Sequence, residues 1–170
     1  MRIWNKIKIA LYILISVSIA LFMGFYTENL HYFIGSIINL YAIEMVCLSL
    51  KDHKLDLNKF LQGALEIILG TTITFFLVDF EAVCIVWAVW ALLRESREIS
   101  EHIELIKEKE FAYVSLLESF ISIAFAISLL LNPTEHHVSL HMYLLIVEMT
   151  STVTFPIIRK KLLNKKGNSN

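Results

Sequence analysis

The sequence contains few charged residues and few cysteines. Asp, Glu, Lys and Arg make up 18% of its 170 residues, compared with about a quarter in soluble domains, and 56% are hydrophobic. This composition argues against a water-soluble domain. The two cysteines, Cys47 and Cys84, fall near opposite membrane faces in the topology predicted below, too far apart for a disulfide. Both are therefore interpreted as small apolar packing residues.

The chain also lacks the short motifs that mark common catalytic sites. The patterns HExxH, GxSxG, GxxxxGKS/T and paired CxxC do not occur in the sequence. No polar segment is long enough to form a soluble catalytic domain. We therefore predict a protein that is not an enzyme, with no catalytic residues and no cofactor.

Six apolar segments separated by short charged blocks dominate the chain instead. Each approaches the ~20 residues that a helix needs to cross ~30 Å of hydrocarbon. The segments are residues 7–25, 30–50, 59–78, 81–97, 110–131 and 138–158. We predict an all-α polytopic membrane protein whose six transmembrane helices form three helical hairpins. The hairpins span residues 7–50, 59–97 and 110–158.

The positive side chains lie on alternate connections between these segments. All 15 Lys and Arg residues lie near the start of the chain, near its end, or around the connections between the second and third and between the fourth and fifth segments. Four of them, Lys8, Lys59, Arg94 and Arg97, lie just inside the end of a segment. Because short cytoplasmic connections collect Lys and Arg, both termini are predicted to be cytoplasmic. The predicted location is the bacterial inner membrane, with the lipid bilayer as partner. Topology explains the basic residues, so nucleic acid is not invoked.

Two short segments fall outside the spans of a single transmembrane domain predicted over residues 1–163. In residues 98–109, Ile99, Ile103 and Ile106 recur at helical spacing among charged residues. This pattern predicts that the fourth helix continues as an amphipathic connection at the cytoplasmic surface. Residues 164–170 are polar and are predicted to form a disordered tail.

Several carboxylates fall inside the predicted spans. A charged group in hydrocarbon costs ~2.5–3.5 kcal/mol on insertion scales and is seldom placed there without a role. These candidates are Glu44, Glu66, Glu118 and Glu148. They either form a protonatable cluster, pairing with Arg94 or Arg97, or hydrogen-bond to neighbouring helices and fix the packing. Ion pairs are also predicted at the cytoplasmic end of the fourth span. Their residues are Arg94, Glu95, Arg97 and Glu98.

Histidines gather at the predicted outer ends of the helices. This group contains His31, Glu135, His136, His137 and His141. His137 and His141 are four residues apart, which places them on one face of a helix. Three interpretations remain open for the group. It caps a short loop, it responds to external pH because imidazole changes charge near pH ~6.5, or it binds a metal ion.

A short pattern recurs in the second helix of each predicted hairpin. Residues 39–44, 90–95 and 143–148 each combine a bulky or polar start, an apolar run and a final glutamate. With residues 86–99, VWAVWALLRESREI, the chain resembles the HdeD-type family of small bacterial membrane proteins, built from three repeated two-helix units. That resemblance implies a non-enzymatic role in stress or acid resistance, in response to external pH or protons.

Two other functions are compatible with the same pattern. Six helices in a chain of this length also describe the vitamin-capturing subunits of energy-coupling-factor transporters, so a small-molecule transporter or substrate-binding membrane subunit is one alternative. An immunity or interaction protein for a secreted toxin is another. The sequence leaves the ligand, the mechanism and the formation of a homo-oligomer open.

Overall fold

The protein is built from α-helices. The computed structural model describes residues 2–50, 55–107 and 113–167, and within these ranges there are six helices and no strand. They are α1 (Arg2–Glu28), α2 (Leu30–Ser49), α3 (Leu57–Phe76), α4 (Phe80–Lys107), α5 (Tyr113–Leu131) and α6 (Glu135–Gly167). The prediction of an all-α chain with six helices is confirmed.

Polar side chains at the connections define where three of the helices begin. Oδ1 of Asp56 accepts a hydrogen bond from the Lys59 backbone N–H at 3.2 Å, in the first turn of α3. Before α4, the Asp79 carboxylate accepts a hydrogen bond from the Ala82 backbone N–H at 2.9 Å. Before α6, the Thr134 hydroxyl oxygen accepts one from the His137 backbone N–H at 3.3 Å. These caps satisfy backbone donors that have no partner within the helix.

Two helices continue beyond the predicted spans. Helix α4 runs on to Lys107 and covers most of the predicted connection 98–109, whose last two residues lie outside the described residues. Helix α6 runs to Gly167, so residues 164–167 are helical, in contrast to the predicted disordered tail, and 168–170 lie outside the described residues. Lysines near a helix C-terminus interact favourably with the helix dipole, which supports this extension.

The most extensive helix packing occurs between the predicted hairpins. Helix α2 packs most extensively against α3, α4 packs against α5, and α6 packs against α1. Packing between α1 and α2 and between α5 and α6 is sparser. Each second helix of a predicted hairpin is therefore paired with the first helix of the next, and the α6–α1 pair closes the ring.

Glycines allow α2 and α3 to approach closely. A Cβ atom added at Gly35 of α2 would lie 2.6 Å from the carbonyl oxygen of Gly70 in α3. A Cβ added at Gly70 would lie 2.8 Å from the carbonyl oxygen of Gly35. Small residues at such crossings let helix backbones meet, which increases van der Waals contact without a hydrophobic driving force.

Helix α1 contains a kink, and a single residue connects it to α2. The backbone of Phe22 leaves helical geometry at φ −122° and ψ 27°, and Asn29 alone connects the two helices. An apolar cavity of about 330 Å³ lies between them, lined by α1 and α2 residues such as Ile19 and Phe33. The cavity lies between two helices that pack against each other less extensively than α2 and α3 do.

The surface carries many large apolar side chains. Phe75, Phe76 and Leu131 are among the most exposed, while the buried core contains Trp87 and Met142. Among the described helices, Ile7–Glu28 and Leu30–Ser49 are long and apolar enough to cross a membrane, and Leu116–Leu131 is a shorter apolar helix. An apolar surface of this extent is unusual for a soluble monomer.

Candidate functional site

A polar cavity of about 370 Å³ lies at the end of the bundle where α1 begins and α2 ends. All six helices contribute to its lining, with α4 and α6 reaching it from the middle of their length. Six glutamates line it: Glu44, Glu66, Glu95, Glu98, Glu118 and Glu148. The basic residues in the lining are Lys8, Lys59, Arg94 and Arg97. Carboxylates therefore outnumber cations around this space.

The structure brings both predicted sets of charged residues, the buried carboxylates and the ion-pair residues, into this one cavity. Every buried-carboxylate candidate lines it, as does every residue of the predicted ion-pair group. The residues concerned are Glu44, Glu66, Glu118, Glu148, Arg94, Glu95, Arg97 and Glu98. Residues spread over more than a hundred positions of sequence thus line one cavity.

Glu44 connects α2 to α1. Its carboxylate forms an ion pair with Lys8 and accepts a hydrogen bond from the Tyr12 hydroxyl at 2.6 Å. Lys8 and Tyr12 are four residues apart, so one face of α1 presents both donors to Glu44. The Lys8 ammonium also lies 5.1 Å from the centre of the Tyr12 ring.

Glu66 connects α3 to α4. Nη2 of Arg97 lies 3.0 Å from Oε1 of Glu66, and the Gln62 side-chain amide donates to the same oxygen at 3.1 Å. Gln62 precedes Glu66 by one helical turn and therefore stands on the same face of α3. The carboxylate is held by one neighbour on its own helix and one on α4.

Arg94 joins three helices at the centre of the cavity wall. Its guanidinium pairs with Glu148 of α6 and with Glu98 of its own helix, the latter at 2.8 Å. The same group stacks over the Tyr41 ring of α2, 4.0 Å from the ring centre. The Tyr41 hydroxyl in turn donates to Glu148 at 3.1 Å. Charge pairing and cation–π stacking together hold α2, α4 and α6 in contact.

Glu95 differs from the glutamates described above, each of which forms an ion pair. Its side chain is buried, 3% exposed, and Ser119 of α5 lines the same cavity. Among the described residues no Lys or Arg lies within ion-pair distance of it. Glu118 and Ser122, on the same helix as Ser119, also line this part of the cavity.

Sequence reasoning did not identify several polar residues of the site. Tyr12, Tyr41 and Gln62 donate hydrogen bonds to the cavity glutamates, and two serines of α5 lie in the wall. The spacing between Lys8 and Tyr12 and between Gln62 and Glu66 was a usable signal. The pairing of Tyr41 with a glutamate of α6 depends on helix packing and had no signal in the sequence.

The structure does not bring the predicted outer group into one site. His141 is 2% exposed and lies almost two turns inside α6, with its ring 4.7 Å from Trp87 and 6.3 Å from Phe125. Neither ring nitrogen of His141 has a hydrogen-bond partner among the residues that the structure describes. Glu135 and His136 are exposed, and Nδ1 of His137 lies 2.6 Å from the Asn132 carbonyl oxygen.

His31, the remaining member of that group, stacks on its neighbour Tyr32, with ring centres 4.0 Å apart. Across the described part of the chain there is no group of three or more His, Cys, Asp or Glu side chains arranged to hold a metal ion. The geometry of the outer histidines therefore gives no support to a metal site in the described residues.

No protein-family model matches this chain, and no curated protein or solved structure matches it at a significant level.

Proposed function

We propose that the chain is a six-span membrane protein that binds a small charged solute in the cavity, without a catalytic step. It acts as a transporter or as a substrate-binding membrane subunit. The observation that carries this proposal is the cavity itself, with charged side chains from all six helices around about 370 Å³ of space.

The membrane assignment rests on the outer surface and on the distribution of cations. Two helical segments, Ile7–Glu28 and Leu30–Ser49, are long and apolar enough to span a membrane. The other helices carry large apolar side chains on their exposed faces. All 15 Lys and Arg residues lie on or near alternate connections between the six predicted spans, the distribution that the positive-inside rule predicts for a six-span chain.

Solute binding is supported by the open space that the charged residues surround. Ionisable side chains inside a membrane domain are costly and mark solute or ion pathways. If the ion pairs only fixed the packing, we expect them to be enclosed by close-packed side chains, as protein interiors generally are. Instead they surround a space within the range of small-molecule sites, roughly 300–1,000 Å³. We therefore favour the binding interpretation over the packing one.

For the physiological role, we propose stress or acid resistance in the bacterial inner membrane, as the resemblance to the HdeD-type family implies. The support is the concentration of six titratable carboxylates in one cavity. Survival at low external pH should fall when the gene is deleted. Equal survival of the deleted and parental strains would contradict this role.

The proposed topology predicts opposite accessibility for two neighbouring connections. In a Cys47→Ser, Cys84→Ala background, we expect Val78→Cys to react with a membrane-impermeant maleimide in intact cells. Leu55→Cys should react only in inside-out vesicles, because it follows α2 on the predicted cytoplasmic side. Both side chains are exposed, so the pair is matched. Labelling of both positions from the same side would contradict the six-span arrangement.

Solute binding should be visible as ligand-dependent stability. The melting temperature of the full chain in detergent micelles is measured with each of four solutes: succinate, glycine, 1,4-diaminobutane and glucose. At least one charged member should raise the melting temperature in a saturable way, because a ligand at 100 times its Kd stabilises by about 2.7 kcal/mol.

The shift should shrink in Glu66→Gln, which alters the cavity lining, and persist in Glu135→Gln, which alters an exposed outer glutamate. If no charged solute shifts the melting temperature up to millimolar concentration, the proposal is wrong.

A further inference from the structure

The helices of the bundle form three closely packed pairs. They are α2 with α3, α4 with α5 and α6 with α1, and helices of different pairs pack more sparsely against each other. In the first pair, a Cβ atom added at Gly63 would lie 2.9 Å from the Ala42 carbonyl oxygen, so α2 and α3 approach closely here as well as at Gly35 and Gly70. We therefore treat each pair as one unit of the bundle.

The ion pairs of the cavity connect these units to one another. Among the described side chains, three ion pairs join different helices, and each joins a different two of the three units. These inter-unit ion pairs are Lys8–Glu44 between α1 and α2, Glu66–Arg97 between α3 and α4, and Arg94–Glu148 between α4 and α6. The other two described ion pairs, Lys59–Asp56 and Arg94–Glu98, are local in sequence and join no units.

Away from the cavity, the units meet through aromatic rings instead of charges. Trp87 of α4 and His141 of α6 lie seven residues before the ion-paired residues of the same two helices, about 10 Å along each helix. Their ring centres are 4.7 Å apart. Between α1 and α2, the rings of Tyr26 and Phe33 lie 4.8 Å apart. The bundle is therefore joined by charge at one end and by ring contacts farther along.

Water reaches the edge of the cavity but hardly its deepest wall. The side chains of Lys8 and Arg97 are 31% and 38% exposed, so their charges can be hydrated when an ion pair separates. Glu95 and Ser119 line the same cavity but are only 3% and 2% exposed. A solute therefore reaches these two residues only when the units move apart at this end of the bundle.

We propose that the three inter-unit ion pairs form a latch that holds the units together around the cavity. When the ion pairs separate, the units move apart at this end, while the ring contacts stay closed and act as a pivot. The part that the latch plays in admitting a solute rests on the proposed function.

Cysteine labelling of the full chain in detergent micelles tests the latch without any solute. In a Cys47→Ser background, Ser119→Cys places a thiol on the deep wall of the cavity, and the buried native Cys84 serves as an internal reference. Glu66→Gln removes the charge of one inter-unit ion pair. N-ethylmaleimide should then modify the introduced thiol about 10- to 100-fold faster, because local opening limits the reaction. The rate at Cys84 should stay unchanged.

Matched variants show whether the connection between units is what matters. Glu44→Gln and Glu148→Gln remove the charges of the other two inter-unit ion pairs and should also accelerate labelling. Asp56→Asn makes the same chemical change in a local ion pair, and asparagine still caps a helix, so it should leave both rates unchanged. Glu66→Arg combined with Arg97→Glu rebuilds the pair with exchanged charges and should return the rate towards that of the parent.

Three results would overturn the latch. They are a parent-like rate in all three glutamine variants, an equal rise in rate at Cys84, and a charge-exchanged variant that reacts as fast as Glu66→Gln. The second would show that the bundle loosens as a whole rather than opening about a pivot.

The labelling result is separate from the solute test of the proposed function. If labelling accelerates as expected but no charged solute raises the melting temperature, the latch is supported and the proposed function is wrong. If a charged solute raises the melting temperature but labelling does not respond to loss of the ion pairs, the cavity binds solute and the latch is wrong.

Discussion

Gly35→Ala is expected to lower the melting temperature of the protein, whereas Gly24→Ala is expected to leave it unchanged or raise it. The added Cβ at Gly35 would lie 2.0 Å from Oγ1 of Thr74 and 2.6 Å from the Gly70 carbonyl oxygen. At Gly24, among the described residues, no heavy atom beyond the adjacent residues and the local helix backbone lies within 4 Å of the same Cβ. The two substitutions make an identical chemical change on two helices, so the comparison isolates the helix crossing.

The size of the effect follows from overpacking. Forcing a methyl group into a filled site costs about 1–3 kcal/mol, and one kcal/mol corresponds to roughly 2–4 °C for a chain of this size. A fall of roughly 2–12 °C is therefore expected for Gly35→Ala. At Gly24 the better helix propensity of alanine contributes about 0.5–1 kcal/mol in the opposite direction.

Thermal unfolding in detergent, followed by circular dichroism, measures both variants. Thr74→Ala added to Gly35→Ala should restore only part of the loss, because the Gly70 carbonyl remains in the way. Equal melting temperatures for Gly35→Ala and Gly24→Ala would show that α2 and α3 do not cross at these glycines.

Arg94→Met should be the most destabilising substitution in the cavity wall. The side chain is 11% exposed and contacts Glu148, Glu98 and the Tyr41 ring on three helices. Removing one partner of a buried ion pair costs about 3–5 kcal/mol, because the remaining charge stays buried without its counter-ion. Methionine keeps much of the volume, so the loss reports charge rather than a cavity.

A second substitution separates charge from packing. Arg94→Met combined with Glu148→Met should recover most of the stability, because replacing both partners by apolar residues is often neutral or stabilising by about 1–4 kcal/mol. Lys59→Met is the matched control. Its ammonium is 50% exposed and 3.9 Å from Asp56, so it should cost less than about 1 kcal/mol.

Denaturant unfolding of these variants forms a double-mutant cycle. If the losses for Arg94→Met and Glu148→Met simply add in the double variant, the two side chains do not interact. In that case the connection between α4 and α6 described above is wrong.

Many residues of the site could be predicted from the sequence, but their partners in the cavity could not. Glu44, Glu66, Glu118 and Glu148 were identified because carboxylates are costly within apolar spans, and all four line the cavity. Their partners could not be assigned, because a glutamate on one helix pairs with whichever cation the packing brings near. Burial of His141 between Trp87 and Phe125 was missed for the same reason.

The sequence by itself determined the six helices, although α4 and α6 run beyond the predicted spans. Charged blocks, capping residues such as Asp56 and Asp79, and Pro133 before α6 interrupt apolar runs of helical length, and these signals are local. Only the tertiary structure decided which helices meet. The pairing of α2 with α3 depends on two glycines, Gly35 and Gly70, whose backbones fit together across the crossing. Six apolar helices carry little information about their neighbours, because shape complementarity between residues distant in sequence selects the pairs.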